Sequence, residues 1–350
     1  MKNIIISLII IIAGMSITLS ETFAKENAKT VIKVATLSPK GSGMANILDE
    51  LKTEIMTQTN NEVGLKIYYG GIQGDAKDVL RKIRFRQLQG ATLASYGLGQ
   101  IAQECRVTSI PYVFKNNGEV DYVRSNLESY MYKAFEDNGF IVLGWYDIGF
   151  VYSFSKVPIT SLEIAREQKF WAPEGDPLAM TVYRDVLGIT PVSLSITDVL
   201  TSLSTRLIDA ASAPPIAAVA FRWYTKFQYM AEYPSTSVLG GFVVTKDIWN
   251  KISPENQKKI KELSRKYFLK ATDHFRKANE KSIELLKKSG ISIVRVKNAE
   301  GYKSFIEDTA RKTKEALVGK LFSRELLDRT MSLLEDYRKK HPESKVQSIP

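Results

Sequence analysis

From Val31 to Leu37 the chain reads VIKVATL, a β-branched apolar run closed by the turn residues SPKGSG. Such a run predicts a strand. Apolar positions then recur at helical spacing from Met44 to Met56, and GLKIYYGG (residues 64–71) predicts a second strand closed by glycines. A helix over Ala76–Gln87 leads into ATLASYG, a third strand. Strands alternating with helices argue for a parallel sheet covered by helices. A helical stretch, Asn117–Asn138, precedes GFIVLGWYDIGFVYSFSK, which is long, apolar and extended. A second series follows: QKFWAP, a helix over Pro177–Leu187, TPVSLS, a helix over Ile196–Thr205, and LIDAASAP. The extended stretch STSVLGGFVVTK comes next. Trp249-Asn250 and Ser253-Pro254-Glu255 then open a long helix, with Ser as N-cap, Pro at the first helical position and acid in the first turn. One more strand, GISIVRV, and two helical stretches complete the pattern.

Two α/β units joined by two long extended crossings predict a two-lobed protein with a hinge and a cleft. The expected lobes are discontinuous: residues 29–152 with about 236–265, and 153–235 with about 266–340. In open α/β sheets ligands bind beyond the carboxyl ends of strands. Facing lobes therefore bring those ends into the cleft.

The N-terminus changes the setting. Lys2 precedes an apolar run, Ile4–Ile12, broken only by Ser7, and Thr22-Phe-Ala24 ends in a small residue. This resembles a cleavable secretory leader over residues 1–24 and is short for a membrane span. No Cys follows it, so no lipid-attachment site is expected, and the mature protein is expected outside the cytoplasm, in the periplasm. Losing Lys2 and Glu21 together leaves the net charge at +11. The single cysteine, Cys105, permits no intrachain disulfide and is expected to be a buried small hydrophobe. The basic residues are spread through amphipathic helices among Glu and Asp, which reads as solvated helix faces, not a nucleic-acid surface.

Catalytic chemistry finds no footing. The histidines, His274 and His341, lie in charged helical or tail sequence, far from any expected strand end. GxSxG, HExxH, CxxC and Walker A patterns are absent, and GGIQGD (residues 70–75) lacks the phosphate-loop lysine. No enzyme activity, cofactor or metal is expected. The aromatic-rich VAFRWY (residues 219–224) is expected to serve helix packing.

In order and spacing, these segments resemble a TRAP-transporter solute receptor, the DctP-type extracytoplasmic binding protein, over roughly residues 31–265. GGIQGDAKDVLRKIRFRQLQGATLASYG, SIPYVFKNNGEV, GFIVLGWYDIGFVYSFSK and GFVVTKDIWNKISPENQKKI carry the likeness. The resemblance implies a two-lobed, type II-like binding-protein fold with hinge strands and an interlobe cleft. It also implies membrane permease subunits as partners and, in one subset, a tetratricopeptide-repeat lipoprotein.

The resemblance also locates a departure. Where the family has Lys-x-Arg, with Arg pairing a ligand carboxylate, this chain has Lys169-Phe170-Trp171. The planar guanidinium fork suits a carboxylate, and Trp171 cannot supply it. Ala213 stands at the family's Asn position, Val151 at a further Arg position, and Ile196 where a Phe often meets the ligand. A carboxylate against Trp, Ala and Val would lack its partner. An apolar ligand would gain about 25 cal/mol per Å² buried. The expected ligand is therefore a hydrophobic or amphipathic small molecule, lined also by Leu37, Ser38, Ser95, Tyr96, Tyr146, Phe150, Pro173, Pro214 and Phe242 at strand ends. Two alternatives stand beside it. Trp171 packs within its lobe while Ser95, Gln73 or Ser38 holds a polar solute such as an organic acid, or the cleft serves an extracytoplasmic sensing module.

Overall fold

The computed structural model describes residues 28–344 and 346–349. The expected leader, residues 1–24, lies outside them. Three parallel strands open the fold: β1 (Thr30–Ala35) between β2 (Val63–Tyr68) and β3 (Gly90–Ala94). The sheet is mixed, which corrects the parallel expectation. β9 (Thr236–Thr245) runs antiparallel between β3 and β4 (Phe140–Ser155). The expectation followed local strand–helix alternation, whereas β9 returns to the first sheet from distant sequence and is not bound by a crossover rule.

The 16-residue β4 serves two sheets. Its residues 140–151 pair with β9. Its residues 152–155 pair instead with β7 (Ala210–Ala213), and Phe154 and Ser155 also pair with β8 (Tyr229–Ala231). β10 (Ser292–Val294) extends β8, while β5 (Trp171–Pro173) and β6 (Val192–Leu194) form a parallel pair beside β7 through a Phe170–Ala210 bridge. One strand thus passes from the first sheet into the second, as a hinge strand must in a two-lobed protein.

Helices cover both sheets. The 35-residue helix Pro254–Lys288, capped by Ser253, packs on β4, on helix Gly43–Gln58 of the first sheet and on helix Pro215–Ala220 of the second. Trp249 belongs to a separate short helix, Lys246–Trp249. Where one strand ATLASYG was expected, β3 stops at Ala94 and a short helix, Ser95–Gly99, begins. The expected helix Pro177–Leu187 is α-helical to Met180 and then winds more widely, as a π-helix, to Val186. Helix Arg324–Lys340 returns to the first sheet's side. There Arg338 forms a forked pair with the buried Glu119 of helix Asn117–Asp137 at 2.7 and 2.9 Å. Cys105 is 3% exposed, and burial pushes its thiol up to about 12. No helix among the described residues is long and apolar enough to cross a membrane.

Candidate functional site: a cavity between the sheets

A cavity of about 900 Å³ opens where the two sheets meet. Leu37 and Ser38 enter it after β1, and Ser95 and Tyr96 after β3. Tyr146 and Val151 of β4, Trp171 and Pro173 of β5, Ile196 beyond β6, and Ala213 and Pro214 at the end of β7 complete this part of the wall. The three positions where polar ligand groups were expected to be lost, Val151, Trp171 and Ala213, therefore face one space.

Phe150 and Phe242 do not line it. Neighbouring strand residues point to opposite faces, and with Val151 turned to the cavity, Phe150 is 3% exposed in the core behind it. Phe242 is fully buried, 5.6 Å from Phe268 of the long helix. Its face of β9 packs on that helix. Gln73 is also absent from the wall and instead accepts from Lys82 Nζ at 2.9 Å.

Trp171 is 7% exposed. Its indole N–H donates to the Leu194 carbonyl across the β5–β6 pair at 3.0 Å, so its one polar atom is already satisfied. The ring meets Trp223 edge to face at 5.3 Å, and Phe221 stacks on Trp223 at 5.5 Å. Phe221 and Trp223 both line the cavity, which corrects the reading of VAFRWY as packing alone. The helix there ends at Ala220, and Arg222, at φ 59°, takes a left-handed turn. That break carries Trp223 toward the cavity instead of along a helix face.

The polar atoms of the wall are mostly committed to one another. Ser95 Oγ accepts from Leu239 N at 2.8 Å and lies 3.2 Å from the Leu239 carbonyl. Ser212 Oγ bonds Ser153 and Tyr183 at 3.1 and 3.0 Å, and burial raises the Tyr183 hydroxyl above its ordinary value. Several of the wall's charges are paired likewise. Glu232 accepts from Arg295 and from Val296 N, Glu174 from Lys77 at 2.6 Å, and buried Asp75 caps helix Ala76–Arg84. His274 also reaches the wall, contrary to its expected distance from the strand ends. It packs against Gly43, where the missing side chain leaves room for the imidazole. Burial lowers its pKa, so the ring is predominantly neutral at pH 7.

Several polar wall residues escaped the sequence reading, and two of them stand out. Arg106 and Ser109 belong to a 3-10 helix, Gln103–Ser109, and both line the cavity. Arg106 Nη2 donates to Asp176 at 3.0 Å in an ion pair whose side chains are 7% and 5% exposed. Arg106 Nε and Ser109 Oγ are buried without a hydrogen-bond partner. Each such orphan costs about 1–3 kcal/mol. No group of three or more His, Cys, Asp or Glu among the described residues could hold a metal.

A mixed α/β protein in two lobes, exchanging a hinge strand and enclosing a ligand-sized cavity, has the architecture of a solute-binding protein. Residues 34–317 match the family described as bacterial extracellular solute-binding protein, family 7 (DctP), and the chain belongs to that family. It is 23% identical over 309 residues to an uncharacterised protein of Haemophilus influenzae, covering 87% of this chain and 91% of that one. It is 23% identical to the C4-dicarboxylate-binding periplasmic protein DctP of Rhodobacter capsulatus, over 73% of this chain and 76% of the other. Its fold is similar to a TRAP periplasmic solute-binding protein of Desulfovibrio salexigens with bound orotic acid, at TM-score 0.79 and 17% identity, covering 89% and 99% of the two chains. It is likewise similar to one from Xanthobacter autotrophicus with bound β-D-galacturonate, at 0.79 and 16%, covering 87% and 99%.

Proposed function

We propose that the protein is the extracytoplasmic receptor of a TRAP-type transporter, that it binds a hydrophobic or amphipathic small molecule between its lobes, and that it delivers this molecule to membrane permease subunits. A cleavable leader would place it in the periplasm. The observation that carries the ligand reading is Trp171. It stands where the family resemblance puts the carboxylate-pairing arginine, it lines the cavity, and its N–H is already held by Leu194. A cavity of this size, whose exposed wall is mainly apolar and whose described polar groups are largely bonded within the protein, suits a small molecule. Ligand contacting both lobes would favour the closed form, which the permease then meets. In this reading the first lobe comprises residues 29–152, about 236–265 and helix Arg324–Lys340, and the second comprises 153–235 and about 266–323. The tetratricopeptide-repeat partner rests on no feature of this chain.

The second reading is an organic acid, favoured by the orotate and galacturonate bound to the similar proteins. It needs a buried cation in the wall, and Arg106 is already paired with Asp176. Mass spectrometry of an organic extract of the natively purified protein separates the two. A stoichiometric apolar compound, with occupancy lost in Trp171→Arg, is expected. A stoichiometric sugar acid or dicarboxylate would overturn the apolar reading.

A further inference from the structure

The cavity wall holds donors that the protein itself leaves unused. A 3-10 helix repeats every three residues, so Arg106 and Ser109 lie over one another on one face of Gln103–Ser109. They are 6% and 3% exposed, and both line the cavity. The guanidinium is fixed on two sides. Its stem fills the space beside Gly99, where a Cβ would come within 2.7 Å of Arg106 Cδ. Its Nη2 is anchored on Asp176, whose other oxygen accepts from Leu178 N at 3.0 Å. Arg106 Nε and Ser109 Oγ remain without acceptors.

We infer that Arg106 and Ser109 form the polar subsite of this cavity and that they receive one uncharged oxygen acceptor of the ligand, of the carbonyl, ester or amide kind. The inference rests on the apolar-ligand reading above and adds a defined head to it, with the apolar body lying toward Trp171 and Trp223. Charge decides for a neutral head. The Arg106 cation is already balanced by Asp176 at 3.0 Å, and Arg295 is balanced by Glu232. A carboxylate placed there would add net negative charge to a buried site whose own cation is already paired, the wall's remaining cation, Lys297, being solvent-exposed, whereas a carbonyl oxygen takes the waiting donors without burying a charge.

Matched probes test this: decanamide, sodium decanoate, and the headless fluorophore N-phenyl-1-naphthylamine, whose displacement reports the Kd of the other two. The expected result is that the fluorophore binds and that decanamide binds at least about tenfold tighter than decanoate. Ser109→Ala, and Arg106→Lys, which keeps a cation for Asp176 but removes the Nε–H, should each weaken decanamide about tenfold, the worth of one buried hydrogen bond. Neither should change the fluorophore's Kd. Equal effects on decanamide and the fluorophore, or none on either, would overturn the subsite and leave the apolar reading standing. Tighter binding of decanoate than decanamide would overturn the neutral head. Failure of fluorophore and decanamide alongside tight binding of galacturonate would overturn the apolar reading itself.

Discussion

Arg106, carried beside the first sheet, meets Asp176, carried beyond β5 of the second, at 3.0 Å in a nearly buried ion pair. The same loop is held by two further contacts from the first sheet's side, Lys77 to Glu174 at 2.6 Å and the Tyr96 hydroxyl to the Glu174 carbonyl. Breaking a buried pair by removing one partner leaves the other charged and desolvated, at a cost of about 3–5 kcal/mol. Arg106→Met should therefore lower stability to urea by about 3 kcal/mol and enlarge the ligand-free protein in small-angle scattering as the lobes part. Lys77→Ala, in an exposed pair, should leave the urea midpoint unchanged.

A second ion cluster sits at the hinge. Asp147 is 3% exposed at a bulge of β4, where it accepts from Gly149 N, and Arg276 of the long helix joins it at 3.0 Å while forking onto Asp121. Burial outweighs the attraction of Arg276 and raises the Asp147 carboxyl above its ordinary value. A raised folded pKa gives stability that is complete below the unfolded value of 3.8 and is lost as pH climbs through the folded value. Without Arg276 the folded value rises further. Arg276→Met should cost about 3 kcal/mol at pH 7, and urea titrations should show the deficit shrinking as pH falls toward 4. A deficit constant over that range would show that Asp147 does not carry the effect.

His274 gives the opposite slope. Burial holds its pKa below the ordinary 6.5, against the pull of Asp273. Its stabilising share is present above 6.5 and is lost as pH falls through the folded value, because the unfolded chain takes up the proton more readily. Replacing it by Gln, which is neutral throughout, should flatten the fall in melting temperature on the acid side of pH 6.5. An unchanged slope would mean that other groups set it.

Tyr146 is stacked between Phe268 and Phe275 at 5.4 and 5.6 Å, and its ring lies across Gly240, its partner in β9. A methyl at Gly240 would occupy space that the ring already fills. Gly240→Ala should cost about 1–3 kcal/mol by overpacking and displace Tyr146 into the cavity. Urea unfolding reads the first effect, and weakened binding of a cavity-filling fluorophore reads the second.

The long strands β4 and β9 were legible because apolar runs of 16 and 10 residues have few other uses in a chain of this composition. Most of the residues chosen at strand ends line the cavity, although they make up only part of its wall. Phe150 went astray because β4 shifts register between Val142 and Gly144 and again between Asp147 and Gly149. Each shift changes the pleat's phase, which simple alternation cannot track. Trp223 was hidden by the left-handed turn at Arg222. Arg106 sits in QECRVTS, an irregular-looking run, and its place beside Asp176 is a contact over 70 positions that no local pattern carries. His274 depended on which side of a 35-residue helix meets Gly43.

The long helix has neither glycine nor proline between Glu255 and Lys288, so it has no ready place to kink. One part of it is fastened to helix Gly43–Gln58 and another to helix Pro215–Ala220, with β4 beneath. Parting the sheets must therefore either flex an unbroken rod along its length or lift it from one of these two helices. An unbroken rod spreads any bend over its turns, so no single residue within it serves as the pivot.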